Sequence, residues 1–169
     1  MTVRVEVSVT VACSQEDAFA ALVDPRAQEK WIISTRLYAI EGAVSVPQVG
    51  ARLAAFSGAG SIGFLDTMTV TAYEPPHRWV TDKDGDLLRG VGTMQVDPLP
   101  EGCRVTWAND LRLPFGIIGR VGWVFAKPLA TVMLGASLRR LARGLHSGEL
   151  PLRPAPAPEP VPTDPVVVP

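Results

Sequence analysis

The N-terminal segment VRVEVSVTVA sets Val3, Val5, Val7, Val9 and Val11 on one side of the chain and Arg4, Glu6, Ser8 and Thr10 on the other. Alternation with period two over this length defines a half-buried strand, because successive side chains of extended backbone leave opposite faces. A strand with one wet face belongs in an antiparallel sheet, since all-parallel sheets are covered on both sides. Six further strand-like runs follow, at residues 33–41, 51–57, 63–74, 78–83, 88–97 and 103–113. Turn signals separate them, among them EPPH, KDGD and PEG, and Asp84-Gly85 is a strong hairpin signal. The pattern predicts seven strands in one meandering antiparallel sheet.

Helical signals are confined to two places. In CSQEDAFAALVDPRAQEKW, Ser14 is an N-cap with Asp17 three residues on, and Ala18, Phe19, Leu22 and Val23 give a short apolar face. Asp24-Pro25 then starts a second short helix, with aspartate as cap and proline at the first helical position. Near the other end, LPFGIIGRVGWVFAKP reads as a glycine-rich lead-in, and Pro128 starts or kinks the helix after it. Residues 129–146 predict a long helix, with Leu134, Leu138, Leu141 and Leu145 at spacings of four, three and four, and Gly148 as its stop. Eight of the last nineteen residues are proline, so residues 149–169 read as an extended, disordered tail behind a single domain of residues 1–148.

Gly58, Gly60 and Gly63 spell G-x-G-x-x-G, the signature of a dinucleotide-binding loop. Such a loop needs a helix N-terminus to receive the pyrophosphate. Here it leads into FLDTMTVTAYE, which is strand, so no dinucleotide site is expected. The apolar fraction of 47% raises the question of a membrane span, but the best candidate segment is broken by Arg120 and Lys127. The N-terminus alternates and is not a secretory signal, so a cytoplasmic protein is expected. Cys13 and Cys103 have no CxxC spacing and no histidine cluster beside them, so neither a metal nor a redox pair is expected. No cofactor is expected. Charge is divided along the chain: residues 1–110 hold nine basic and fourteen acidic side chains, while residues 111–148 hold six basic and none acidic. This is a solvated basic helix face or a surface for an anionic partner such as lipid headgroups. Nucleic acid is not expected, because the charge balance of the whole chain leaves no strong basic footprint.

The order of strand, two short helices, six strands and one long helix describes an α+β helix-grip arrangement, a curved antiparallel sheet closed over a terminal helix. VTVACSQEDAFAALVDPRAQEKWI, VTAYEPPHRWV, GTMQVDPLPEGCRVTW and SLRRLARGL resemble START-like proteins of the SRPBCC superfamily. The likeness spans residues 3–146 and is nearest to the bacterial polyketide cyclase/dehydrase-like branch. It implies a deep apolar cavity between sheet and long helix, used for lipids, polyketides, sterols or aromatic compounds. It implies no fixed chemistry, because the superfamily shares no catalytic motif.

Strand parity nominates the cavity wall. Phe64, Met68, Val70 and Ala72 share a face with Asp66; Leu88, Gly90, Gly92, Met94 and Val96 form another row; Val105, Trp107, Leu111 and Leu113 share theirs with Asn109. Phe125, Leu129 and Met133 are the candidates from the helix. Methionines beside aromatic and glycine positions suit an adaptable apolar pocket for a hydrophobic ligand. Asp66 on an apolar face is paired, at a wet strand end, or held neutral. In a cavity it would act as a general base or orient a ligand hydroxyl, and Asn109 would polarise a carbonyl. His77 lies in a turn and His146 at a helix end, so both are read as exposed and not catalytic. Three functions stay open: a carrier of a hydrophobic small molecule, a polyketide cyclase or dehydratase working in the same cavity, or a partner-binding protein working through the basic helix face or the proline-rich tail.

Overall fold

The alternation of the first strand is retained in the computed structural model, which describes residues 2–41, 48–59, 62–85, 89–112 and 116–150. In β1 (Thr2–Val11), Val3, Val5 and Val11 are buried, and Val7 and Val9 pack at the margin of the core. On the outer face Arg4 bonds to Glu6 and reaches across to Asp110 at 2.6 Å, an exposed cluster of small energetic weight. The chain then forms α1 (Gln15–Val23), α2 (Pro25–Trp31), β2 (Thr35–Glu41), β3 (Arg52–Ala59), β4 (Ile62–Glu74), β5 (Arg78–Asp84), β6 (Arg89–Leu99), β7 (Gly102–Arg112) and α3 (Gly116–Ser147). The seven strands form one antiparallel sheet in the order β1-β7-β6-β5-β4-β3-β2. Six of them make a meander, and β1 closes the far edge beside β7. This is the helix-grip fold.

The helix caps follow their local signals. The Ser14 hydroxyl accepts the Asp17 amide at 3.1 Å, and the Asp24 carboxylate accepts the Arg26 amide at 2.8 Å with Pro25 behind it. Trp31 ends α2 fully buried, donates from Nε1 to the Ala21 carbonyl at 3.0 Å, and meets Trp107 edge to face. That anchor fixes the two short helices against each other and against β7.

Three features differ from the sequence reading. First, α3 begins at Gly116 and runs through Pro128 without stopping. Each helical glycine costs about 1 kcal/mol against alanine, a penalty that Gly116, Gly119 and Gly122 spread over two turns without forbidding the helix. Second, a bulge between Val70 and Ala72 reverses the parity of β4. Tyr73 therefore turns inward to pack 5.7 Å from Phe19, in the place expected for Ala72. Third, packing continues past residue 148. Leu150 is buried against Gly144, and its amide donates to the Gly144 carbonyl at 3.2 Å. The proline-rich stretch 151–169 lies outside the described residues, as do Leu88 and Leu113.

The two halves of α3 do different things. Leu138, Leu141 and Leu145 are buried and join Phe19, Leu22 and Val105 in one core cluster. In the first half, Ala126, Leu129, Ala130, Met133 and Leu134 line open space instead of joining that cluster. Ser137 marks the change, accepting the Ile33 amide at 3.1 Å and donating to the Met133 carbonyl at 2.9 Å. Replacing Leu138 by aspartate buries an unpaired charge and should cost several kcal/mol in urea denaturation, while Arg140→Asp on the exposed face should change stability by less than about 0.5 kcal/mol. Equal losses would show that the face of α3 is misassigned.

Candidate functional site

Small residues on α3 and on β6 leave a cavity of about 650 Å³ between helix and sheet. Its floor is the concave face of the sheet. Met94 on β6 lies in register between Trp79 on β5 and Trp107 on β7, and Met68 on β4 adds a second thioether. Ile32 and Ile33 close the wall behind α2, and Leu129 and Met133 of α3 stand at the rim. The volume suits a molecule of drug size, and flexible thioethers let one wall fit more than one shape.

Several polar residues interrupt this mostly apolar wall, Gln28, Ser34, Thr35, Ser57 and Ser137 among them, and one cluster includes a buried ion pair. Asp66 is 4% exposed and its Oδ2 accepts from the Lys83 ammonium, whose side chain is only 12% exposed. Asp66 Oδ1 is buried without a hydrogen-bond partner among the described residues. Thr81 and Asn109, both buried, face each other across Gly92. A Cβ at residue 92 would stand 2.9 Å from Thr81 Oγ1 and 3.3 Å from both Asn109 Oδ1 and Lys83 Cε. Glycine therefore lets hydroxyl, amide and ammonium converge on one spot. Gly90 serves the sheet instead of the cavity. At φ +140°, a Cβ there would overlap the Asp110 carbonyl, so only glycine lets β6 and β7 pair at that point.

Met68, Met94, Trp107, Leu129, Met133, Asp66 and Asn109 all line this cavity. Phe125 does not. It is 77% exposed, on the outward side of α3, while Ala126, Leu129 and Ala130 of that segment line the cavity. The Phe64 backbone pairs with Ser57 in the sheet, and its side chain is outside the described residues. Asp66 is not at a wet strand end, since burial and Lys83 place it inside the wall. His77 is exposed, near Gln15 at 2.9 Å, and His146 is exposed at the end of α3. Neither borders the cavity.

A family model described as polyketide cyclase/dehydrase and lipid transport matches residues 2–145. The chain belongs to this SRPBCC-type family. Among solved structures, protein MLL2253 from Mesorhizobium loti superposes with a TM-score of 0.66 at 19% identity, covering 88% of this chain and 100% of that one. The polyketide-cyclase-like protein Cgl2372 from Corynebacterium glutamicum gives 0.61 at 16% identity, over 88% and 94% of the two chains. The di-domain ARO/CYC StfQ from the steffimycin biosynthetic pathway gives 0.69 at 15% identity, over 88% of this chain and 52% of that one. At these identities the likeness establishes the fold. No curated protein matches the chain by sequence.

Sequence reasoning missed Trp79, Thr81, Ile32 and Ile33 in the wall, and above all Lys83. Lys83 shares parity with Trp79 and Thr81, which is the available signal, but it sits beside Asp84-Gly85 and reads as a solvated hairpin lysine. The cysteines belong to another region. Burial pushes the Cys103 thiol up to about 12 from its ordinary 9.0, and raises Cys13 as well. Neither is among the residues lining the cavity. The unfolded chain gives up the Cys103 proton near pH 9 and the folded one near 12. The resulting contribution to stability is full below pH 9 and is lost as pH rises across that window. Cys103→Ala should therefore show a shallower alkaline loss of stability than the parent in denaturation curves taken across it. A second expectation concerns the ion pair. Lys83→Met leaves a buried carboxylate unpaired and should cost about 3–5 kcal/mol, whereas Lys83→Met with Asp66→Leu should recover most of it. A double-variant cycle by urea denaturation measures both.

Proposed function

We propose that this family member is a carrier that encloses a hydrophobic small molecule, in the class of lipids, polyketides or aromatic compounds. The observation that supports this best is the cavity itself, about 650 Å³ with a mostly apolar wall and a polar cluster around the Asp66–Lys83 pair. In this reading the apolar body of the ligand lies over Met94, Trp79 and Trp107. A single carbonyl or hydroxyl meets Thr81, Asn109 and the Lys83–Asp66 pair. Those groups lose water when the ligand enters, so a ligand without a polar atom there would leave them unpaired and bind less well.

Asp66 supports a second reading, a cyclase or dehydratase acting in the same space. Its carboxylate would take a proton from a carbon next to a carbonyl. The electron pair would move onto the carbonyl oxygen, where the Lys83 ammonium and the Asn109 amide can receive it. The two readings separate on two variants. Met94→Trp should fill the space above Gly92 and abolish binding of a fluorescent fatty acid or an aromatic polyketide, with the far-ultraviolet spectrum unchanged. Asp66→Asn keeps an oxygen for Lys83, and in a carrier should shift affinity by less than about tenfold. In a cyclase the same variant should bind its substrate and lose roughly two to four orders of magnitude in turnover. Native protein that returns bound polyketides unchanged would count against catalysis on those compounds.

A further inference from the structure

We infer that the outward face of α3 is a docking surface for an anionic lipid bilayer. Phe125, Leu129, Val132, Ala136, Arg139 or Arg140, and Arg143 follow one another at steps of three or four, so they lie on one stripe of the helix. The stripe is about 27 Å long at 1.5 Å per residue. Its first half is apolar and exposed: Phe125 is 77% exposed, Leu129 63% and Val132 62%, with Val124 beside them at 67%. Its second half is cationic, with Arg139, Arg140 and Arg143 all exposed. Lys127 is also exposed, but two residues from Phe125 it falls on the opposite side of the helix and is not part of the stripe.

Three arguments choose the occupant. The first is charge: no acidic side chain occurs between residues 111 and 148, while residues 1–110 carry fourteen acidic against nine basic. An anionic surface would attract the α3 side and repel the remainder, which orients the molecule before contact. The second is the order along the stripe. A bilayer boundary offers acyl chains and phosphates within a few ångströms of each other, which suits a helix that is apolar at one end and basic at the other. A second copy fits worse. Parallel pairing sets arginines against arginines, and full antiparallel pairing sets guanidiniums against Phe125 and Leu129. The third is continuity with the cavity: Leu129 and Met133 belong to its rim and are themselves exposed. Docking by this stripe would bring the cavity rim to the lipid, so an apolar ligand could cross with little exposure to water. That last consequence rests on the carrier reading; the docking does not. No described helix is long and apolar enough to span a membrane, so the contact is peripheral.

The test is flotation of the full chain with vesicles of phosphatidylcholine alone or mixed with phosphatidylglycerol, without any cavity ligand. The protein should float with the mixed vesicles, stay behind with the neutral ones, and be released by high salt. Arg143→Gln should weaken partition by about fivefold, the effect of one cation near an anionic surface. Phe125→Glu with Val132→Glu should remove binding while the thermal melt stays unchanged, because both side chains are exposed. Met94→Trp should bind vesicles like the parent, so a failed cavity and a failed docking surface give different results. Equal binding to both vesicle types, binding that survives Phe125→Glu with Val132→Glu, or no binding to either would overturn the proposal. So would a concentration-dependent dimer in sedimentation that the same double variant abolishes, since the face would then belong to a second copy.

Discussion

Leu138, Leu141 and Leu145 hold the C-terminal half of α3 down on the core, where they meet Phe19, Leu22 and Val105. Burying each leucine contributes about 1.5–3 kcal/mol, and the contact sets the height of the whole helix above the sheet. Ser137 ties the same region to the start of β2 through the Ile33 amide. With one half fixed, the other half projects over the concave face whether or not its own side chains reach the sheet. Ala126, Leu129, Ala130, Met133 and Leu134 line the space beneath that half, and this space is the cavity.

The polar cluster in the wall depends on the sheet. Antiparallel pairing sets Thr81, Gly92 and Asn109 in one row, and a glycine at the centre of that row lets two polar side chains and an ammonium approach. The Asp66–Lys83 pair is costly to desolvate, and pairs of this kind are weak evidence for stability. Its presence as a buried ion pair in a mostly apolar wall makes it the chemically informative part of the site. A carrier and a cyclase would both use it, one for orientation and the other for proton transfer.

Features encoded within a few adjacent residues are legible in the sequence. The β1 alternation, the Ser14 and Asp24 caps, the hairpin boundaries and the leucine face of α3 all depend on local spacing. Family likeness and strand parity together are enough to nominate Met68, Met94, Trp107, Asp66 and Asn109. The features that escape depend on contacts between distant segments. Lys83 looks solvated until β4 brings Asp66 beside it, and a bulge after Val70 changes which residue of β4 points inward. Pro128 reads as a boundary, yet the helix carries it on an exposed turn. Phe125 misleads for a related reason: a large aromatic on a helix suggests an inward anchor, and here it is exposed while Ala126, Leu129 and Ala130 line the cavity.

The division of α3 separates the size of the chamber from the strength of its frame. Substitutions at Ala126 or Ala130 would change the space under the helix by one or a few methyl groups, and none of the leucine contacts that hold the helix would be touched. A chamber arranged in this way can be resized in small steps over evolutionary time. Longer or bulkier guests are turned away step by step, while the energetics of folding stay nearly constant. Such a scaffold can diversify its contents without first acquiring spare stability.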